Sequence, residues 1–281
     1  MKQKLIIMIL MFLPLAGKAQ NKELDYTLTE PTIQTGARFD ANLEITLIPK
    51  TLHLNFQEEV RVNDNFRHMQ KSYTSASIEY KALSWLKIGA EYSFILNNSY
   101  SDGWEARHRG SFSLTESLRA GRWKFSMRER FQVTHRTDSV NLYQSPRNEI
   151  SLKTRLKIGY DVPGSHFEPY ISAETRFLLN GVRPSRFIYY ESTGRWANPY
   201  PEYSDAYLNR LRLKLGTEYK CSKKNELDFF IIADMNFDLE IDFSSKGNQK
   251  TDLTSATGFA DYLFVKNSYF IGIGISYTFK L

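Results

Sequence analysis

From Gly36 onward the chain repeats one pattern. Ten to thirteen residues alternate between apolar and polar, a short turn follows, then a second such run and a longer connection. Residues 37–48 set Ala37, Phe39, Ala41, Leu43, Ile45 and Leu47 against Arg38, Asp40, Asn42, Glu44 and Thr46. A period of two over that length predicts a strand with one apolar and one polar face, since a helix would spread the same apolar residues around its circumference. Pro49-Lys50 makes the turn, and Leu52, Leu54, Phe56, Val60 and Val62 alternate on the return.

The scheme recurs in the pairs Thr74–Tyr80 with Leu86–Leu96, Phe112–Leu114 with Trp123–Val133, Ile150–Tyr160 with Phe167–Phe177, and Leu211–Tyr219 with Leu227–Phe237. A final run, Tyr269, Ile271, Ile273, Ile275, Tyr277, Phe279 and Leu281, carries alternation to the last residue. That is eleven strands. Short turns are expected near 49–51, 82–85, 117–121, 162–166 and 220–225, and longer loops near 64–70, 97–104, 135–147, 179–206 and 239–267. Strands of about 9–13 residues suit a tilted bilayer crossing better than the ~5–6 typical of globular sheets. The prediction is an all-β fold: a transmembrane, antiparallel, up-and-down β-barrel with short periplasmic turns and long extracellular loops. If both ends of the chain are periplasmic, an upward strand must precede residue 37. Residues 22–29, with Leu24, Tyr26 and Leu28 alternating, are the candidate. The expected count is therefore twelve, with ten as the fallback.

Composition changes this picture less than it first suggests. The 281 residues are 42% hydrophobic, with a mean hydropathy of −0.44. No mature stretch approaches the ~18 apolar residues of a membrane helix. That average does not argue against a membrane barrel, whose strands alternate lipid-facing and interior positions. The first residues settle the expected compartment. Lys2 and Lys4 precede an apolar run from Leu5 to Leu15, and Gly17-Lys18-Ala19 supplies small residues before Gln20. This reads as a signal peptide over 1–19, leaving 20–281 as one barrel domain in the cell outer membrane. Cleavage would remove Lys2, Lys4 and Lys18, so the net charge of +6 falls to +3, too small an excess to argue for nucleic-acid binding. Cys221 is the only cysteine, which excludes an internal disulfide and a thiolate zinc site.

The polar face is heavily charged, with both signs on neighbouring strands. The candidates expected to line a lumen are Glu59, Arg61, Glu91, Arg107, Arg109, Arg128, Arg130, Lys153, Arg155, Glu174, Arg176, Arg210 and Arg212. One reading is mutual neutralisation, with crossed ion pairs filling a narrow barrel. The other is a constriction that selects solutes by sign. Cations concentrate on the middle strands, so a channel would favour anions weakly.

No residues are expected to be catalytic, and neither a metal nor a cofactor is expected. The histidines (His53, His68, His108, His135, His166) lack metal-pair spacing, and no nucleophile elbow occurs. His108, in register with the apolar set, is the residue to watch for a barrel-wall acyl hydrolase, which would need a serine within reach. Glu58 and Glu129 also fall among apolar positions, where a carboxylate requires an interfacial location or a bulge. The loop residues 183–207, rich in Tyr, Pro and Arg, suit a sugar or peptide ligand or a plug. The stretch 244–258 reads as mobile. The expected partners are outer-membrane lipid and a small solute or surface ligand bound through the 179–206 loop. A soluble lipocalin-like barrel is a further alternative, requiring the apolar face inside and fewer strands.

The hairpin signature carries a resemblance. Leu54-Asn55-Phe56-Gln57-Glu58-Glu59-Val60-Arg61-Val62-Asn63-Asp64 resembles the L-x-x-E-E-x-R-x-x-D hairpin of the DUF2490 family. Ser77–Lys81 with Leu86–Tyr92, and the close Gly274–Leu281, are similar to it as well. The resemblance covers nearly the whole mature chain, and only the long 179–206 loop departs from it. It implies an outer-membrane barrel of Bacteroidetes-type bacteria and no catalytic residues.

Overall fold

The computed structural model describes residues 27–28, 32–100, 103–137, 145–181, 188–190, 195–197, 204–241 and 263–281. The predicted signal peptide and the 244–258 stretch lie outside them. The strands are β1 (Thr27–Leu28), β2 (Thr32–Ile48), β3 (Leu52–Asn63), β4 (His68–Leu83), β5 (Leu86–Ser99), β6 (Gly103–Ala120) and β7 (Trp123–Arg136). They continue with β8 (Asn148–Tyr160), β9 (Phe167–Gly181), β10 (Ile188–Tyr190), β11 (Arg195–Ala197), β12 (Asp205–Lys220), β13 (Asn225–Ile241) and β14 (Leu263–Lys280). No helix occurs among the described residues.

Each strand from β2 to β9 pairs antiparallel with the next, β12 follows β9, and β13 and β14 complete the wall. β14 then pairs with β2 and closes the barrel. The closing pair is parallel, from Ser268↔Thr32 to Lys280↔Glu44. The wall therefore has eleven strands, and among the described residues the amino-terminal candidate contributes only Thr27–Leu28, with no separate upward strand. β1 pairs parallel with β14 at Phe264 and Val265, so it runs in the same direction as β2. An even count was expected because both termini were assumed to lie at one end. A parallel seam removes that requirement, since the first and last strands run the same way.

The barrel strands are 12 to 18 residues long, longer than the alternation alone suggests. Backbone pairing continues past the apolar run into polar residues, because an extended ladder satisfies N–H and C=O groups whatever the side chain. Two of the expected loops shrink accordingly, to the links at 64–67 and 100–102. At the first, Asp64, Asn65 and Phe66 take left-handed φ values of 49°, 55° and 68° in succession. The Tyr100 hydroxyl donates to Asp64 Oδ2 at 2.7 Å, and its ring stacks on His68 at 4.0 Å, tying the two links together. The Asp64 carboxylate, accepting that proton, pushes the Tyr100 phenol above the ordinary tyrosine range. The opposite end holds the turns at 49–51, 84–85, 121–122, 161–166 and 221–224, together with Leu281, whose amide donates to Glu44 O at 2.8 Å.

The two faces divide as the alternation predicts. Leu215, Ile231, Ile271 and Ile273 are 53–60% exposed on the outside, whereas Arg38, Glu174 and Asp234 are 5–7% exposed. The apolar-inside arrangement of a lipocalin-like barrel is not present. Some apolar side chains do face inward, namely Ile95, Phe230 and Ile232. At the seam, Gly36, Gly272 and Gly274 make room for the rings of Phe270 and Phe230. A Cβ at Gly272 would meet the Phe270 ring at 2.7 Å, and one at Gly274 the Phe230 ring at 2.2 Å.

Candidate functional site

Inward-facing side chains of the strands enclose a cavity of about 440 Å³. Ten cationic and seven carboxylate side chains border it. Among the sequence candidates, Glu59, Arg61, Glu91, Arg109, Arg128, Arg130, Lys153, Arg155, Glu174 and Arg212 line it, whereas Arg107, Arg176 and Arg210 do not.

A chain of ion pairs crosses the interior at mid-height. Asp234 on β13 accepts from Arg38 Nη2 at 2.6 Å and, through both oxygens, from Arg212 Nε and Nη2 at 2.6 and 2.8 Å. Arg212 Nη1 lies 3.7 Å from Glu174, which also accepts from Arg210 at 2.9 Å. Arg38 reaches Asp234 past β14, where two successive inward positions, Gly272 and Gly274, carry no side chain. Glu59 pairs with Arg61, whose guanidinium lies 4.3 Å from the Tyr73 ring. Arg38 and Arg61 also border a second, smaller cavity of about 110 Å³ with Gln34, Gln70 and Phe270, so this layer separates the two spaces.

Nearer the short-turn end, Lys157 pairs with Glu218, and Lys214 with Asp228 at 3.1 Å. The Tyr170 hydroxyl donates to Asp228 at 2.8 Å, under Lys157 Nζ at 4.0 Å from its ring. Lys124 and Lys220 converge on Glu168. Toward the other end, Glu149 accepts from Arg176 and lies 3.5 Å from Arg136, Arg107 pairs with Glu105 at 3.3 Å, and Arg109 Nε donates to Thr134 at 2.9 Å. Glu91 accepts from Arg130 at 3.0 Å. Arg128, Lys153 and Arg155 border the cavity with no ion pair among the described residues.

The sequence reading left Arg38, Asp40, Tyr73, Tyr170 and Phe230 out of the candidate set. The parity of Arg38 and Asp40 with Glu44 points inward and was a usable signal. The same parity puts Tyr73 in step with Glu79, Tyr170 with Glu174 and Phe230 with Asp234, so it holds for the aromatic residues too, and only their apolar character argues for the outer face.

The outer-face oddities are also placed. His108 Nδ1 and the Tyr92 hydroxyl are 2.7 Å apart, and Tyr92 rather than a serine is its hydrogen-bond partner among the described residues. His135, directly opposite His108, shares a 2.7 Å hydrogen bond with Asn148. Glu58 points outward where the β3–β4 ladder is regular, from Leu52 to Arg61, and accepts from Ser72 and Thr74 at 2.6 Å each. Glu129 also sits in regular pairing, so a bulge re-aims neither carboxylate. Two strands of the long loop, β10 and β11, pair as a hairpin, Ile188↔Ala197 to Tyr190↔Arg195. The expected ligand or plug role of that loop rests on side chains outside the described residues. Among the described residues no three acidic, histidine or cysteine side chains cluster as metal ligands, and no helix is long and apolar enough to cross a membrane.

No curated protein sequence matches the chain. The model of a family described as "Protein of unknown function (DUF2490)" matches residues 39–242, from β2 to the end of β13 and short of the last strand, and the chain belongs to that family.

Proposed function

We propose that this protein is an exported outer-membrane barrel forming a narrow channel, with a charged lumen that passes small solutes and favours anions. The observation that carries the reading is the inversion of the two faces. The outside presents a continuous apolar surface around the wall while charge is buried. Exposed apolar area on that scale requires lipid or another apolar partner. Strand length agrees. Twelve residues at about 3.4 Å each, tilted about 40°, rise roughly 31 Å, enough for a ~25 Å apolar band.

Aromatic side chains gather at both ends in keeping with interfacial belts. Trp123 packs on Tyr160 at 4.8 Å and Phe167 on Tyr219 at 4.6 Å at the short-turn end, with Trp104 and Tyr100 exposed at the other. In this reading residues 1–19 direct export, the short turns face the periplasm, and the loop containing β10 and β11 faces outward, where it meets a surface ligand. The barrel itself is a conduit or scaffold rather than an enzyme.

The excess of cations over carboxylates around the cavity supports anion preference. Planar-bilayer recordings of the refolded chain across a KCl gradient should give small unitary conductances and a reversal potential of anion-selective sign. A cation-selective reversal potential overturns the preference, and silence under all voltages overturns the channel. A second reading has its own support: the Arg38–Asp234–Arg212 layer divides the interior as a structural brace would. Silence that Asp234→Asn converts into conductance selects that reading.

A further inference from the structure

The interior cations are not distributed as a neutralised lumen would have them. By register Arg128 stands directly opposite Arg155, and Arg130 directly opposite Lys153, on β7 and β8. Opposed residues of an antiparallel pair have Cα atoms roughly 5 Å apart, and like charges placed there destabilise the pairing. Cations also stand opposite one another elsewhere, as Arg38 with Arg61 and Arg176 with Arg210, but there each reaches a carboxylate: Asp234 for Arg38, Glu59 for Arg61, Glu149 for Arg176 and Glu174 for Arg210.

The carboxylates around this cluster are engaged elsewhere. Glu174 faces Arg155 across β8 and β9, but its Oε1 accepts from Arg210 at 2.9 Å and lies 3.7 Å from Arg212. Glu91 is held by Arg130 at 3.0 Å. Glu218 is held by Lys157. Arg128, Lys153 and Arg155 therefore border one cavity with no ion pair of their own among the described residues, and Glu174, the carboxylate facing Arg155, is shared with Arg210 and Arg212, so the cluster keeps an excess of positive charge.

We propose that Arg128, Lys153 and Arg155 form a binding site for a small oxyanion carrying two or more negative charges. The proposal rests on the reading of the interior as a solute path. Two guanidinium groups offer planar forks that match oxyanion geometry, and the lysine adds a compact charge. A single charge would leave two of the three cations uncompensated. A cavity of about 440 Å³ falls within the ~300–1,000 Å³ span of small-molecule sites. Phosphates and polycarboxylates share the required chemistry, and the test separates them.

The site also has a stability signature. An unliganded cluster of like charges costs the wall stability, so removing one of them should stabilise the empty barrel, as residues kept for binding rather than folding do. The experiment uses the full chain refolded in a zwitterionic detergent, with inorganic pyrophosphate and citrate as probes and NaCl at matched ionic strength as the control. Thermal unfolding and titration calorimetry are the readouts. Pyrophosphate or citrate should raise the unfolding midpoint beyond NaCl, by mass action on the folded state. Arg128→Gln and Arg155→Gln should each weaken binding at least tenfold while raising the midpoint of the anion-free protein. Arg119→Gln, which removes a pair with Asp161 on the exposed rim, should leave binding unchanged.

Preference between pyrophosphate and citrate identifies the class of occupant. Binding by neither, or affinities in R128Q and R155Q within twofold of wild type, overturns the site. Conductance without oxyanion binding removes this proposal and leaves the channel standing; binding without conductance does the reverse.

Discussion

Asp234 is the residue on which the interior layer turns. Its two oxygens hold Arg38 and Arg212 at 2.6–2.8 Å, and all three side chains are largely withdrawn from solvent. Removing one member of a buried ion pair leaves the others charged and unpartnered, which typically costs ~3–5 kcal/mol. Asp234→Asn keeps the shape and removes the charge. It should lower unfolding stability in micelles by about 3 kcal/mol, read as a shift in urea midpoint by tryptophan fluorescence. A loss below about 1 kcal/mol would mean that water in the cavity screens the pair. The residue scale also explains why Glu58 is tolerated on an apolar face. Ser72 and Thr74 donate to its oxygens from the neighbouring strand, so the carboxylate brings its own polar partners.

At the scale of elements, the parallel pairing of β2 with β14 decides how the barrel closes. The seam is tight. A Cβ at Gly272 would stand 2.7 Å from the Gly36 carbonyl oxygen across it, and on the other side of β2 a Cβ at Gly36 would stand 2.0 Å from the Val62 carbonyl oxygen of β3, a backbone atom that cannot turn aside. Gly36→Ala should therefore destabilise the closed barrel by roughly 2–3 kcal/mol, in the range of overpacking penalties. Gly110→Ala, with open space at its Cβ position, should be nearly neutral. Comparing their heat-modified mobility on gels and their urea midpoints checks the difference, and equal stability of the two variants would show that β2 and β3 yield. Register at this scale also sets the interior chemistry. Arg128 meets Arg155 because β7 and β8 pair at Met127↔Leu156, and a shift of β8 by one residue would turn Arg155 outward while Arg128 stays inside.

For the whole molecule, eleven strands put the start of β2 and the end of β14 at opposite ends of the barrel. Thr27 belongs to the end with the long loops, whereas Cys221 is exposed at the other, beside the carboxyl terminus. In the membrane orientation proposed above, a membrane-impermeant maleimide applied to intact cells should label Thr27→Cys in a Cys221→Ser background and leave the native Cys221 untouched. Labelling of both positions, or of Cys221 alone, would contradict the odd-stranded topology or its orientation.

The alternation of side chains determined the fold class, the pairing order of neighbouring strands and which charged residues turn inward. Those are local properties, set by the two-residue period of a strand, and the sequence carries them without reference to the rest of the chain. The short turns were legible for the same reason, through Pro, Gly and Asn at positions such as Pro49 and Gly121. The strand number was not, because alternation at Leu24, Tyr26 and Leu28 fits a strand in either direction, and only the parallel pairing of β2 with β14 shows that the wall closes with an odd count. The partners of each inward charge were equally hidden. Arg38 and Asp234 are 196 residues apart and meet across β14 beside Gly272 and Gly274. The inward parity of Arg128 and Arg155 is written in the chain; that they stand opposite each other with no carboxylate between them is a consequence of register and of where Glu174 was drawn, which only the assembled barrel determines.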